Sequence, residues 1–263
     1  MEAVKREYSI KSIIHSTKIK EGAIILLFIL MFVLASIFVD EFFNSENIIN
    51  LVRQISFLAI IGLGQFFVIL IGGIDMSVGS TIGLVSILLA DMMSSYQVPI
   101  ALAILIVLAV TVLIGLINGM IAVYGHVTPF IATLITMIII KGINFLYSNG
   151  IPISGLPREF NFLGAGYVGP IPFPIIILCI IGIFCYLLTM KTSLGRSLYA
   201  VGGNLEATKL SGINTNKVRI FAFVMSSFLA GVGSILITSR TMSGQPNIGE
   251  AMLFDIITIV VLG

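Results

Sequence analysis

The chain has 263 residues, 58% of them hydrophobic and 10% charged, with a mean hydropathy of +1.14. Soluble domains carry about 25% charged residues, so this composition excludes a water-soluble globular protein and points to a polytopic membrane protein. A net charge of +2 is too small to argue for nucleic acid, and the two cysteines, Cys179 and Cys185, fall in one apolar run, where they read as small core residues rather than a disulfide framework or a metal site.

Stretches near twenty apolar residues predict spans at 22–39, 51–71, 78–92, 99–123, 129–147, 171–190, 218–239 and 252–263. The expected fold is therefore all-α, with about eight transmembrane segments: an N-terminal tail over 1–21 and a transmembrane domain over 22–263. The first apolar run reads as a retained helix rather than a cleaved signal, because it follows a long polar stretch and has no small-residue cleavage site before Asp40 and Glu41. The third and last runs are short: the third suggests a helix broken at membrane depth, and the last stops inside a hydrophobic segment.

Basic residues near span ends mark the cytoplasmic side. The tail carries Lys5, Arg6, Lys11, Lys18 and Lys20, and the loop at 191–219 carries Lys191, Arg196, Lys209, Lys217 and Arg219, so both are expected in the cytoplasm. The six crossings between them agree with that, and they place 40–50 and 148–170 outside.

The stretch IGGIDMSVGS (71–80) sets a carboxylate between two glycine clusters. A charge at the bilayer centre costs about 2.5–3.5 kcal/mol on insertion scales, so Asp75 must lie near an end, be hydrogen-bonded, or face a polar cavity. Gly72 and Gly73 can end one helix, Asp75 or Ser77 can accept from the first free N–H groups of the next, and Gly79 allows close helix approach. Asp75 thus fits two compatible roles, an N-cap at a helix break or a wall of the path for a polar solute. Irregular backbone at membrane depth is tolerated where protein or water surrounds it.

Gln65, Asn118 and Asn144 are polar residues within spans; each can touch substrate or bond a neighbouring helix, and the interhelical bond is the expectation. Lys141 lies toward the outer end of its span, where its stem can snorkel to the interface, away from Asp75. His126 reads as a loop residue at the cytoplasmic edge. Small-residue pairs four apart, Gly115 with Gly119 and Ser227 with Gly231, are packing signals.

The loop at 148–170 is rich in Gly and Pro and reads as turns and extended pieces, either a plain connector or a docking surface for an external partner. On the other side, Asn204–Ser211 reads as a short helix capped by Asn204, ended by Gly212, and hinged by Gly202, Gly203 and Gly212. It is either an ordinary loop helix or a knob for a partner's cleft.

GGIDMSVGS (72–80), with GRSLYAVGGNLEATKLSGINTNKV (195–218) and IITIVVLG (256–263), resembles the membrane permease of ribose- and xylose-type sugar ABC importers. The resemblance runs through nearly the whole chain. It implies a permease in a bacterial inner membrane, a second permease subunit, ATP-binding cassette subunits in the cytoplasm, and an extracytoplasmic sugar-binding protein. It also implies an ATPase-coupling loop at about 191–217 that includes Gly203, Asn204, Glu206, Ala207, Leu210 and Gly212, with Thr208 standing where the "EAA" pattern of the family has alanine. The glycine-flanked break and the polar residues within spans put the expected substrate path at Gly72, Gly73, Asp75, Ser77, Gln65 and Asn118. Such permeases have two related halves and continue for roughly two more spans, so the second half is expected to be incomplete here.

No GxxxxGK[ST] phosphate loop occurs, so the chain is expected to bind no ATP, need no cofactor and hold no metal. No HExxH motif or nucleophile–base pair supports a membrane enzyme. Open alternatives are a nucleoside or branched-chain amino acid importer permease and a self-powered carrier that uses Asp75.

Overall fold

The computed structural model describes residues 26–39 and 41–262, in two compact units, one reaching to Leu51 and one starting at Val52. The tail at 1–21 and the start of the first expected span lie outside the described residues. The helices are α1 (Leu26–Phe38), α2 (Ser45–Leu70), α3 (Val78–Ser94), α4 (Ile100–Tyr124), α5 (Pro129–Ser148), α6 (Asn161–Ala165), α7 (Phe173–Lys191), α8 (Ser193–Gly203), α9 (Leu205–Leu210), α10 (Thr215–Thr241) and α11 (Leu253–Leu262). Two short strands, β1 (Tyr167–Val168) and β2 (Ile171–Pro172), pair antiparallel.

Each apolar run expected from the sequence forms a helix among the described residues, and the fold is all-α. Among the described residues, α2, α4, α5, α7 and α10 are long and apolar enough to cross a membrane, whereas α1, α3 and α11 are apolar helices of 10–17 residues.

In the first unit, Phe32 packs edge-on against Phe42 and Phe43, with ring centroids 5.2 and 5.8 Å away. The Asn44 side chain then starts α2 by accepting from the Glu46 N–H at 3.1 Å.

The second unit is built around α10, which packs against α4, α3, α6 and α8. Lipid tails are as apolar as leucine, so helices in a bilayer associate through close packing and hydrogen bonds rather than through hydrophobic burial. The sequence of α10 suits this, since Ser226, Ser227, Gly231, Gly233, Ser234, Thr238 and Ser239 are all buried. Gly115 and Gly119 of α4 lie on the α10 backbone at Phe223, Val224 and Ile220, and Gly231 lies on Thr111, so both small-residue pairs mark real contacts. The outward faces of α4, α5 and α7 carry Leu105, Leu113, Ile138, Ile180 and Ile183.

Three local expectations are corrected. Cys179 is exposed and only Cys185 is in the core, because α7 buries one narrow face. The segment at 148–170 is more ordered than turns: a 3-10 turn at Arg158–Phe160 runs into α6, with Phe160 fully buried and the Gly164 N–H donating to Ser239 Oγ at 2.7 Å. There Arg53 donates to the Ala165 carbonyl at 2.7 Å and lies 4.7 Å from the centre of the Tyr167 ring. Finally, the stretch before Asn204 is a helix, α8, capped by Thr192, which accepts from the Gly195 N–H at 3.1 Å. Gly202 is therefore no hinge; it closes α8 against the Leu70 carbonyl so tightly that a Cβ would collide.

A Cβ on Gly115 would stand 2.6 Å from the Phe223 carbonyl oxygen and 2.7 Å from Val224 Cα, whereas one on Gly142 would meet nothing within 4 Å. Gly115→Ala is expected to cost about 1–3 kcal/mol by overpacking, lowering the thermal midpoint in detergent, and Gly142→Ala to leave it unchanged or raised.

Candidate functional site: the break at 71–77 and the helix at 205–210

Helix α2 ends in a Schellman motif. The Gly72 N–H donates to the Ile69 carbonyl and the Gly73 N–H to the Val68 carbonyl, both at 2.9 Å, with Gly72 at φ +79°, a conformation that glycine adopts without strain. The chain then runs irregularly through Ile74, Asp75 and Met76 before α3 begins. This is the helix break that the glycines predict.

Asp75 is fully buried and its carboxylate is engaged at both oxygens. Oδ1 accepts from the Ser77 N–H at 2.9 Å and the Ser77 hydroxyl at 2.6 Å, and Oδ2 accepts from the Ser226 hydroxyl of α10 at 3.0 Å. Asn118 of α4 donates to Ser77 Oγ at 2.8 Å, and the Met76 N–H donates to Thr133 Oγ1 of α5 at 3.0 Å. Capping falls to Asp75, because Ser77 makes no cap bond of its own. The break is thereby tied to α4, α5 and α10 at once.

Of the expected path residues, the structure joins Asp75, Ser77 and Asn118 in one network, with Gly72 and Gly73 at its entrance. Gln65 is fully buried, yet neither end of its amide is hydrogen-bonded, so the interhelical bond expected of it is not made. Asn144 makes the expected kind of bond, donating to the carbonyls of Ser80 at 3.0 Å and Pro246 at 3.2 Å. Ser226 was missed; its one signal was a pair of serines in an otherwise apolar run. Lys141 pairs with Glu250 at 2.7 Å, a partner the sequence did not indicate, because the connection from α10 to α11 returns beside α5.

Gly79 meets irregular backbone rather than a helix. A Cβ there would stand 2.9 Å from the Gly249 carbonyl oxygen, and one on Gly249 would collide with the Gly79 carbonyl. The connection at 244–249 runs antiparallel along α3, since Gly244 lies on Ala90, Pro246 on Gly83 and Gly249 on Gly79.

Helix α9 forms as expected. Asn204 Oδ1 accepts from the Ala207 N–H at 2.9 Å, and Gly212, at φ +80°, ends the turn after it. Thr208, in place of the alanine, is buried and donates to the Asn204 carbonyl at 2.7 Å, so the change leaves the turn intact. Leu210 is 88% exposed, and Glu206 is exposed on the same short helix. A cavity of about 440 Å³ separates Leu205, Glu206 and Lys209 from Val123, Tyr124 and His126, which is the loop residue expected.

Asp75→Asn keeps an acceptor for the cap and an atom within reach of Ser226, and it is expected to leave assembly largely intact. Asp75→Ala leaves the buried Ser77 and Ser226 hydroxyls without their shared acceptor and is expected to cost about 1–3 kcal/mol per orphaned group. Thermal unfolding of the two purified variants compares them directly.

The family described as "branched-chain amino acid transport system / permease component" matches residues 47–263. The chain is 43% identical to the ribose import permease protein of Haemophilus influenzae over 239 residues, covering 89% of this chain and 74% of that one. It is 39% identical to the ribose import permease protein of Bacillus subtilis, covering 93% and 76%, and 35% identical to the galactose/methyl galactoside import permease protein of Escherichia coli, covering 94% and 79%. No solved structure matches. The chain belongs to the permease family of ribose-type sugar ABC importers.

Proposed function

We propose that this chain is the membrane-spanning subunit of an ATP-driven importer and forms, with a second permease subunit, the path for a small sugar of the ribose class delivered by an external binding protein. One observation carries the sugar assignment: identity is 43% to a permease named for ribose, against 35% to one named for galactose. The proposed setting is a bacterial inner membrane with the N-terminus in the cytoplasm, and eight spans in the 22–263 region. ATP hydrolysis belongs to separate cassette subunits.

In this reading α9 is the coupling element, within a loop at about 191–217. Exposed Glu206 and Leu210 meet the ATPase, while buried Thr208 anchors the helix from behind. A push on α9 passes through Asn204 to α8, and through Gly202 to the Leu70 end of α2, next to the break. Packed helices transmit such a shift as small rigid displacements. The break then forms part of the path wall: Gly72 and Gly73 let it turn, Asp75, Ser77 and Asn118 hold its shape, and Gln65 lies behind it in α2. A self-powered carrier built on Asp75 is disfavoured, because both carboxylate oxygens are already taken by Ser77 and Ser226.

Glu206→Arg is expected to abolish binding-protein-stimulated ATP hydrolysis in proteoliposomes containing the whole importer, with normal permease abundance. Hydrolysis and uptake at the full wild-type rate in that variant would overturn the docking role.

A further inference from the structure

Lys141 Nζ and Glu250 Oε2 form an ion pair at 2.7 Å, with side chains 48% and 36% exposed. Helix α5 spans Pro129–Ser148, so Lys141 lies about 18 Å from one end and about 10 Å from the other. Charged groups inside a membrane face protein or water rather than lipid. A charged pair on such a face calls for water or protein beside it rather than lipid.

That face holds a cavity of about 180 Å³, bordered by Met76, Ser80, Met137 and Phe254 as well as the pair. Its volume matches about six waters, the scale of one monosaccharide. Glu250 Oε1 is buried and accepts no hydrogen bond, and an ammonium has three donors, of which the pair engages one. A carboxylate acceptor and ammonium donors side by side match adjacent sugar hydroxyls, and the thioethers and ring suit the C–H face of the same molecule. Met76 and Ser80 flank Ser77 in sequence, so the cavity opens directly on the braced break.

We propose that Lys141, Glu250 and this cavity form a sugar-binding station in the translocation path, one that holds the solute through paired hydroxyl contacts as it passes the break. The proposal rests on the reading of the chain as a sugar permease.

Met137→Cys, in a Cys179→Ser, Cys185→Ala background, places a thiol in the cavity and leaves the ion pair intact. The full importer in proteoliposomes is treated with a water-soluble methanethiosulfonate reagent, with and without D-ribose or D-galactose. The expected result is that the introduced thiol reacts, that one of the sugars slows the reaction, and that adding Glu250→Gln raises the half-protecting concentration about tenfold, as loss of one charge-assisted hydrogen bond implies. No reaction with or without ATP would mean that lipid or the second subunit covers the face, and it would overturn the station. Reaction unaffected by either sugar, or protection unchanged by Glu250→Gln, would overturn it too. Sugar uptake by the unmodified importer is measured in the same vesicles: uptake without protection sinks the station alone, and absence of uptake sinks the sugar-permease reading itself.

Discussion

A carboxylate buried among helices must have its lone pairs met by the protein, and Asp75 meets this requirement with bonds that reach across the fold. Its two oxygens take the Ser77 amide, the Ser77 hydroxyl and the Ser226 hydroxyl, and Asn118 completes the chain from α4. Interrupting a helix strands N–H and C=O groups that find no water in hydrocarbon. The Schellman bonds at Gly72 and Gly73 meet the carbonyls of α2, and Asp75 meets the first donor of the turn into α3. Because these bonds engage α10 and α4, the position of the break follows from helix packing, and the packing in turn is held by the break.

The connection between α10 and α11 repeats the arrangement. Helix α10 ends at Met242 in a left-handed conformation, an irregular segment follows, and a short apolar helix begins at Leu253. This second irregular segment meets the first turn of α3, where Gly79 and Gly249 face each other with no side chain between them. Gly244 and Ile153 exchange backbone hydrogen bonds at 2.8 Å, while Ser86 Oγ accepts from the Gln245 N–H at 3.1 Å. Backbone that would be costly in lipid is thus held against α3, α5 and the neighbouring loop. The same return path brings Glu250 to Lys141, so the lysine that the sequence shows within α5 gains a carboxylate partner.

At the same end of α2, beside the break, α8 and α9 follow one another in the chain. Thr192 caps α8, Asn204 caps α9, and Asn214 caps α10 by accepting from the Lys217 N–H at 3.1 Å, so three helices follow one another with each junction closed by a side chain. The close seat of Gly202 on Leu70 joins this unit to the helix that leads into the break. A helical α8 stands where the glycines suggested a hinge, and Asn204 forms the junction to α9.

Composition and apolar period alone determined that this is an all-α membrane protein and where its apolar helices lie, because a bilayer demands long runs without charge. Local rules also reached the end of α2 at Gly72, the capped turn at Asn204, and the small-residue seams of α4 and α10, since caps and glycine seams are short-range signals. Only the tertiary structure decided which side chains meet across long separations. Ser226 joins Asp75 from 151 residues away, and Glu250 joins Lys141 from 109 residues away. Periodicity carries no information on such pairs, because they depend on where an irregular connection returns. Helix α8, by contrast, was legible and was missed: Leu194, Leu198 and Val201 recur at helical spacing behind the Thr192 cap, and Leu198 and Val201 lie on its buried face.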